Sequence, residues 1–222
     1  MVRAILAGQK TVTRRVVTPQ PHGDGRWSHI VASTDAKARG VWSLSVPDPS
    51  GVRFTDRGRE REVARVRCPY GMPGDTLWVR ETFNIVRTLR DAEGIADDEQ
   101  TWRGPPPKED PRGALVFDDW HVAYAADDAD ADEWPWRPSI HMPRWASRIT
   151  LRVEGVRAER LHAINDEDAL REGVCVLDGV AGTTTPRERF AELWDEINGK
   201  RAPWESNPWV WRVAFSVVEV KR

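Results

Sequence analysis

The residues that most restrict how this chain can fold stand almost at its start, where a short apolar segment, Met1 to Ala7, runs into Gly8. Glycine at such a place takes the left-handed conformation that ends a helix. Val12, Val16 and Val17 follow, and their β-branched side chains favour an extended segment. Lys10, Thr11, Thr13, Arg14 and Arg15 therefore fall on a junction between a helix and a strand, the kind of place where functional side chains collect.

The same reading extends along the chain. Trp27 to Val46 alternates short apolar groups with polar residues and is expected to be a hairpin. Arg53 to Arg67 fits either an exposed strand or a loop. Cys68-Pro69-Tyr70-Gly71-Met72-Pro73-Gly74-Asp75 is a rigid turn feeding a buried strand at Thr76 to Val79, which Arg80 to Phe83 continues. Trp120 to Tyr124, with Val116 and Phe117 before it, is expected to return the chain to that sheet. Arg148 to Val153 alternates cleanly, with Ile149, Leu151 and Val153 on one side. Asn165 caps a short helix, Asp166 to Glu172, that stops at Gly173. Pro186 to Asn198 is a second helix with Phe190, Leu193, Trp194 and Ile197 on one stripe and Gly199 as its stop. Val210 to Val220 closes the chain as a strand.

Charge is distributed unevenly along the 222 residues, whose formal net charge is only −2. Between Asn84 and Glu133 there are 14 acidic and five basic residues, whereas residues 136–160 carry six arginines against two glutamates. A basic body with an acidic insertion binds anions on one side and stays soluble on the other. No apolar run approaches the roughly 20 residues that span a bilayer, and the N-terminus lacks the apolar core of a signal peptide. Two cysteines, Cys68 and Cys175, are too few for a disulfide framework and suit a reducing cytoplasm as free thiols. The five histidines (His22, His29, His121, His141 and His162) show no paired ligand spacing, so neither a metal nor another cofactor is expected.

The pattern Ile5-Leu6-Ala7-Gly8-Gln9-Lys10-Thr11-Val12-Thr13-Arg14-Arg15 resembles the signature that opens ASCH domains, small β-barrels related to the PUA-like RNA-binding fold. Gly74-Asp75-Thr76-Leu77-Trp78-Val79 resembles a strand of that barrel, Arg160 to Val174 its helix and Trp209 to Val220 its closing strand. The closer likeness is to the larger ASCH proteins of phages and prophages. The resemblance covers about half of the chain and implies an α+β fold. That fold is a PUA-like barrel with short helices, a single domain over residues 1–222 with loop-rich insertions at about 19–66 and 84–138. ASCH domains normally place a strand before the opening helix, and this sequence begins inside that helix.

In ASCH proteins similar to the bacterial N4-acetylcytidine amidohydrolase, a lysine, a threonine three residues on and a helix-end glutamate form the active site. The matching residues are Lys10, Thr13 and Glu172. The resemblance implies Thr13 as nucleophile on the acyl carbonyl, Lys10 as its base and Glu172 as proton donor to the leaving amine. Such a lysine needs desolvation to act as a base. A carboxylate at a helix C-terminus is disfavoured by about 0.3–1 kcal/mol, which suits an acid. In a regular strand residues 10 and 13 face opposite ways, so Lys10 belongs in the turn after Gly8. Read by residue type alone, Lys10 is a surface lysine, Thr13 a strand residue and Glu172 a solvated helix end.

Arg14, Arg15, Arg80 and Glu81 are expected at the mouth of that site, where arginine's planar fork suits a base or a phosphate. Trp136, Arg137, Arg144, Trp145 and Arg148 interleave aromatics with arginines in the manner of single-strand binders. Three functions follow from the resemblance. They are a metal-independent amidohydrolase on N4-acylated cytidine or a related modified nucleoside, a non-catalytic RNA-binding module, and a nuclease of single-stranded RNA.

Overall fold

The computed structural model describes residues 1–18, 20, 29–32, 41–47, 60–90, 96–102, 105–107, 120–127, 135–174 and 185–221. His22, Val116, Phe117, Cys175 and the acidic run from Asp128 to Glu133 lie outside them. In chain order the elements are helix α1 (Val2–Leu6) and strands β1 (Val12–Val16), β2 (His29–Ala32), β3 (Val41–Pro47), β4 (Glu60–Arg67), β5 (Thr76–Trp78), β6 (Phe83–Arg90), β7 (Ala96–Thr101), β8 (Trp120–Tyr124) and β9 (Ile149–Arg160). Helices α2 (Asp166–Arg171) and α3 (Pro186–Asn198) and strand β10 (Trp209–Val220) complete it. Among the described residues the content is α+β, with few helices and three sheets in the orders β1-β10-β9-β5, β2-β3-β4 and β7-β6-β8. The four-stranded sheet does not close into a barrel among the described residues.

Leaving the first two residues aside, the chain divides into two compact units, one of residues 3–77 and 152–216 and one of residues 78–151 and 217–222. In the first unit, β1 pairs antiparallel with β10, so Thr13 opposes Val213, Arg14 opposes Arg212 and Arg15 opposes Trp211. Directly opposed residues share a face. One face of this pair carries a core of Val17, Cys68, Val153, Trp209, Trp211 and Val213. The other carries Val210 with Leu161, Ala169, Phe190 and Trp194, the contacts that hold α2 and α3.

The helices start as their sequences dictate. The Asn165 side chain accepts from the Asp168 N–H at 2.8 Å. Thr185 and Glu188 form a reciprocal capping box at the start of α3, with Pro186 in its first turn. On α3 only Phe190 and Trp194 of the expected stripe are buried; Leu193 and Ile197 are exposed, because the contact is one residue wide at each turn. Gly199 ends α3 in the right-handed region, not the left-handed one.

The expected hairpin is β2 and β3, extended by β4 into its own sheet. The continuous strand expected from Thr76 to Phe83 is absent. β5 ends at Trp78, half-buried, and β6 begins afresh at Phe83 with Phe83, Ile85 and Val86 buried. In the second unit β8 pairs with β6, so Trp120 to Tyr124 joins a separate sheet and not the four-stranded one. The core of this unit is Phe83, Ile85, Met142 and Ala146.

Candidate functional site

Lys10 lies between α1 and β1. Gly8 takes φ 71°, which turns the chain out of α1, and the Gln9 and Lys10 N–H groups both donate to the Ala4 carbonyl at 2.9 Å. The next residue is tied to α2, since the Thr11 N–H donates to the Arg171 carbonyl at 2.9 Å. Gly173 completes the clasp with φ 83°, and a Cβ there would stand 2.9 Å from the Ala4 Cβ and 3.1 Å from the Lys10 Cβ. Only glycine fits a position that combines this dihedral with this approach.

The result is that Lys10, 3% exposed, donates to the Glu172 carbonyl at 2.6 Å and to Glu172 Oε2 at 2.7 Å. Burial pushes the Lys10 ammonium below the ordinary lysine pKa. Glu172 pulls the other way, and Arg15 and Arg14 add to the lowering. The ammonium also answers the unpaired carbonyl and negative dipole end of α2, which offsets the penalty expected for Glu172 at that terminus.

Around this pair runs a network of charges. Arg14, 4% exposed, reaches Glu172 Oε1 at 3.3 Å, Glu159 Oε1 at 2.7 Å and Asp168 Oδ2 at 2.5 Å. Arg212, opposite Arg14 in the sheet, donates to Asp168 Oδ1 at 2.8 Å. Hydrogen bonds from Arg212, joined by those from Arg14, hold the Asp168 carboxyl well below the usual carboxylate range against the effect of burial. Arg157 lies on the exposed side of Glu159 at 2.6 Å.

Thr13 and Arg15 sit on the opposite face of β1 from Arg14, the face of Trp211 and Val213. Thr13 is half-buried, and among the described residues its hydroxyl has no hydrogen bond to Lys10 or Glu172. Arg15 is exposed. Of the residues expected in one site, Lys10, Arg14 and Glu172 are thus in direct contact. Arg14 is held by three carboxylates.

In the second unit, Arg148 donates from Nε and Nη2 to the two oxygens of Glu81 at 3.1 and 2.9 Å, and it grips Asp127 at 2.6 and 2.9 Å. Its guanidinium lies 3.9 Å from the centroid of the Tyr124 ring. Burial opposes the Arg148 charge, but hydrogen bonds to Asp127 and Glu81 more than offset it and push its pKa above the arginine value. Arg80 and Arg144 are exposed and both stack on Trp78, at 4.7 and 5.7 Å. Trp145 donates to the Pro107 carbonyl at 3.0 Å.

Sequence reading did not single out Asp168, Glu159, Arg212 or Gly173 as partners in this network. The available signal was charge inside apolar strands: Arg212 stands between Trp211 and Val213, as Arg14 stands between Val12 and Val16. Among the described residues no helix is long and apolar enough to cross a membrane, and no group of His, Cys, Asp or Glu is placed to hold a metal ion. Comparison of the chain with protein-family models, with curated proteins and with solved structures finds no match.

Proposed function

We propose that the chain is a metal-independent amidohydrolase that removes the acyl group from N4-acylated cytidine or a closely related modified nucleoside, on an ASCH-type, PUA-like fold. The observation that carries this reading is the buried Lys10–Glu172 pair at 2.7 Å. A lysine and a carboxylate in one hydrogen bond, both out of water, interconvert between an ion pair and a neutral amine–acid pair by moving one proton. The neutral pair holds the base and the acid that amide cleavage requires.

In the first half-reaction the Thr13 side chain, which rests on the face of β1 opposite Arg14, has to turn toward the substrate; its oxygen then attacks the acyl carbonyl and its proton passes to Lys10 Nζ. The C–N4 bond breaks as Glu172 delivers its proton to the cytosine amine, leaving an acyl ester on Thr13 and the ion pair restored. Water then attacks the ester, its proton passing to Glu172 while Lys10 protonates the Thr13 oxygen. Acid and free threonine are released, and the pair is neutral again. Arg14 and Asp168 act through Glu172 by fixing where its carboxylate stands.

The test is release of cytidine and acetate from N4-acetylcytidine, followed by chromatography, in the wild type and in Lys10→Ala, Thr13→Ala and Glu172→Gln. Loss of turnover in all three, with folding retained, is the expected result. Undiminished turnover in Lys10→Ala sinks the mechanism.

A second reading rests on Arg80 and Arg144. Two guanidinium groups on one indole, with no carboxylate bound to either among the described residues, suit the phosphates and bases of single-stranded RNA. It is a non-catalytic RNA-binding role, and cleavage of such a strand is the variant that predicts products without metal. Replacing both arginines by glutamine then weakens RNA binding at low salt and flattens its salt dependence; unchanged binding rejects it.

A further inference from the structure

The cations of the first unit are not evenly partnered. Lys10, Arg14, Arg157 and Arg212 each bind at least one of the three carboxylates Glu159, Asp168 and Glu172. Arg15 binds none of them, nor any other carboxylate among the described residues. It projects from β1 on the same face as Thr13, one strand repeat away, and is exposed. Its charge acts on Lys10 and on the Tyr70 phenol, whose ring packs on the core of that face. A guanidinium with no carboxylate partner among the described residues adds to the repulsion on the desolvated Lys10 ammonium, an arrangement that an anionic ligand would relieve.

We propose that Arg15 is the phosphate-binding residue of this site and that the substrate is an acylated cytidine bearing a phosphate, either as a mononucleotide or within an RNA strand. The inference rests on the amidohydrolase reading for the acyl group but not for the phosphate. A phosphate needs a donor that stays charged and offers a planar fork, and Arg15 offers one on the Thr13 face of β1 with no carboxylate bound to it among the described residues. Spacing along β1 places it about 7 Å from Thr13, within reach of a phosphate on the sugar of a base whose N4 substituent meets the threonine. Tyr70 lies on the same side, its half-buried ring packed on that core.

The experiment compares kcat/KM for N4-acetylcytidine, its 5′-monophosphate and a trinucleotide with N4-acetylcytidine at its centre, in the wild type and in Arg15→Gln. At least tenfold preference for a phosphorylated form, falling to within twofold in Arg15→Gln, supports the assignment, and the form preferred identifies the source of the phosphate. With the monophosphate bound, the rate limb belonging to Lys10 also moves to higher pH, because the phosphate cancels the repulsion from Arg15. Equal kcat/KM for all three substrates, or a preference that survives Arg15→Gln, overturns it. Should no substrate turn over, the amidohydrolase reading fails by itself, and calorimetry with cytidine and cytidine 5′-monophosphate decides the phosphate site. Tenfold tighter binding of the monophosphate, lost in Arg15→Gln, upholds it; equal binding, or none, overturns it.

Discussion

Each unit of the molecule holds a cluster of opposite charges, and the two clusters are built differently. In the second unit Arg148 binds both oxygens of Glu81, which is 1% exposed, and both oxygens of Asp127, over the Tyr124 ring. Its cation cannot lose a proton at ordinary pH, and nearly every donor is used. In the first unit the pair at the centre is Lys10 and Glu172, with burial lowering the pKa of Lys10, and a further cation, Arg15, has no carboxylate partner among the described residues. The first arrangement is a pin. The second is the arrangement on which the proposed proton transfer and anion binding rest.

The largest expected effect breaks the pin. Arg148→Met strands the Glu81 carboxylate in an apolar core, and equilibrium unfolding should show a loss of about 3–5 kcal/mol. A loss below 1 kcal/mol means that Glu81 finds water or another donor, and the contrast between the clusters weakens.

Gly173→Ala comes next. A side chain there meets Ala4 and Lys10 and forces an unfavourable dihedral. Stability should fall by about 1–3 kcal/mol, and turnover should fall further than stability explains, because Lys10 is displaced from Glu172. Equal turnover in the folded variant would show that the position of Lys10 does not matter.

The pH dependence separates the clusters more finely. Asp168 has its folded pKa depressed, so its contribution to stability is complete above about pH 4, the unfolded value, and is lost as pH falls toward the folded one. Asp168→Asn should flatten the acid limb of unfolding free energy, by at most about 1.4 kcal/mol per pH unit for one proton. Lys10 has the opposite sense. Its folded pKa is lowered, so the fold binds fewer protons than the unfolded chain as pH approaches 10.4, and stability rises with pH there. An acid limb unchanged in Asp168→Asn contradicts this account of the network.

The smallest effect provides the control. Arg171 and Glu167 pair at 2.7 Å across one turn on the exposed side of α2. Glu167→Gln should cost about 0.3–0.5 kcal/mol and leave turnover intact. A larger loss would mean that surface pairs and buried ones cannot be told apart in this chain.

Much of the local structure was legible in the sequence because it depends on neighbours. The Asn165 cap, the Pro186 start of α3, the Gly8 exit and the closing strand all follow from short-range chemistry. Lys10 and Glu172 were legible only through their resemblance to a motif, since 162 positions separate them and no local signal says that they meet. The partnership of Arg14 with Asp168 and Arg212 was hidden for the same reason: it depends on the β1–β10 register and on α2 packing under that face. Arg80 to Phe83 misled because a strand signal and a following apolar run look continuous when a break between them is made by the pairing partners.

The most direct test replaces the central pair by apolar residues of similar volume, Lys10→Met with Glu172→Leu, and measures unfolding free energy and N4-acetylcytidine turnover on the same sample. Arg14 keeps Asp168 and Glu159 in this variant, so no charge is stranded. A pair that serves catalysis predicts stability unchanged or raised by about 1–4 kcal/mol with turnover abolished. Loss of several kcal/mol, or turnover that persists, would show that Lys10 and Glu172 hold the fold together and do not carry the reaction.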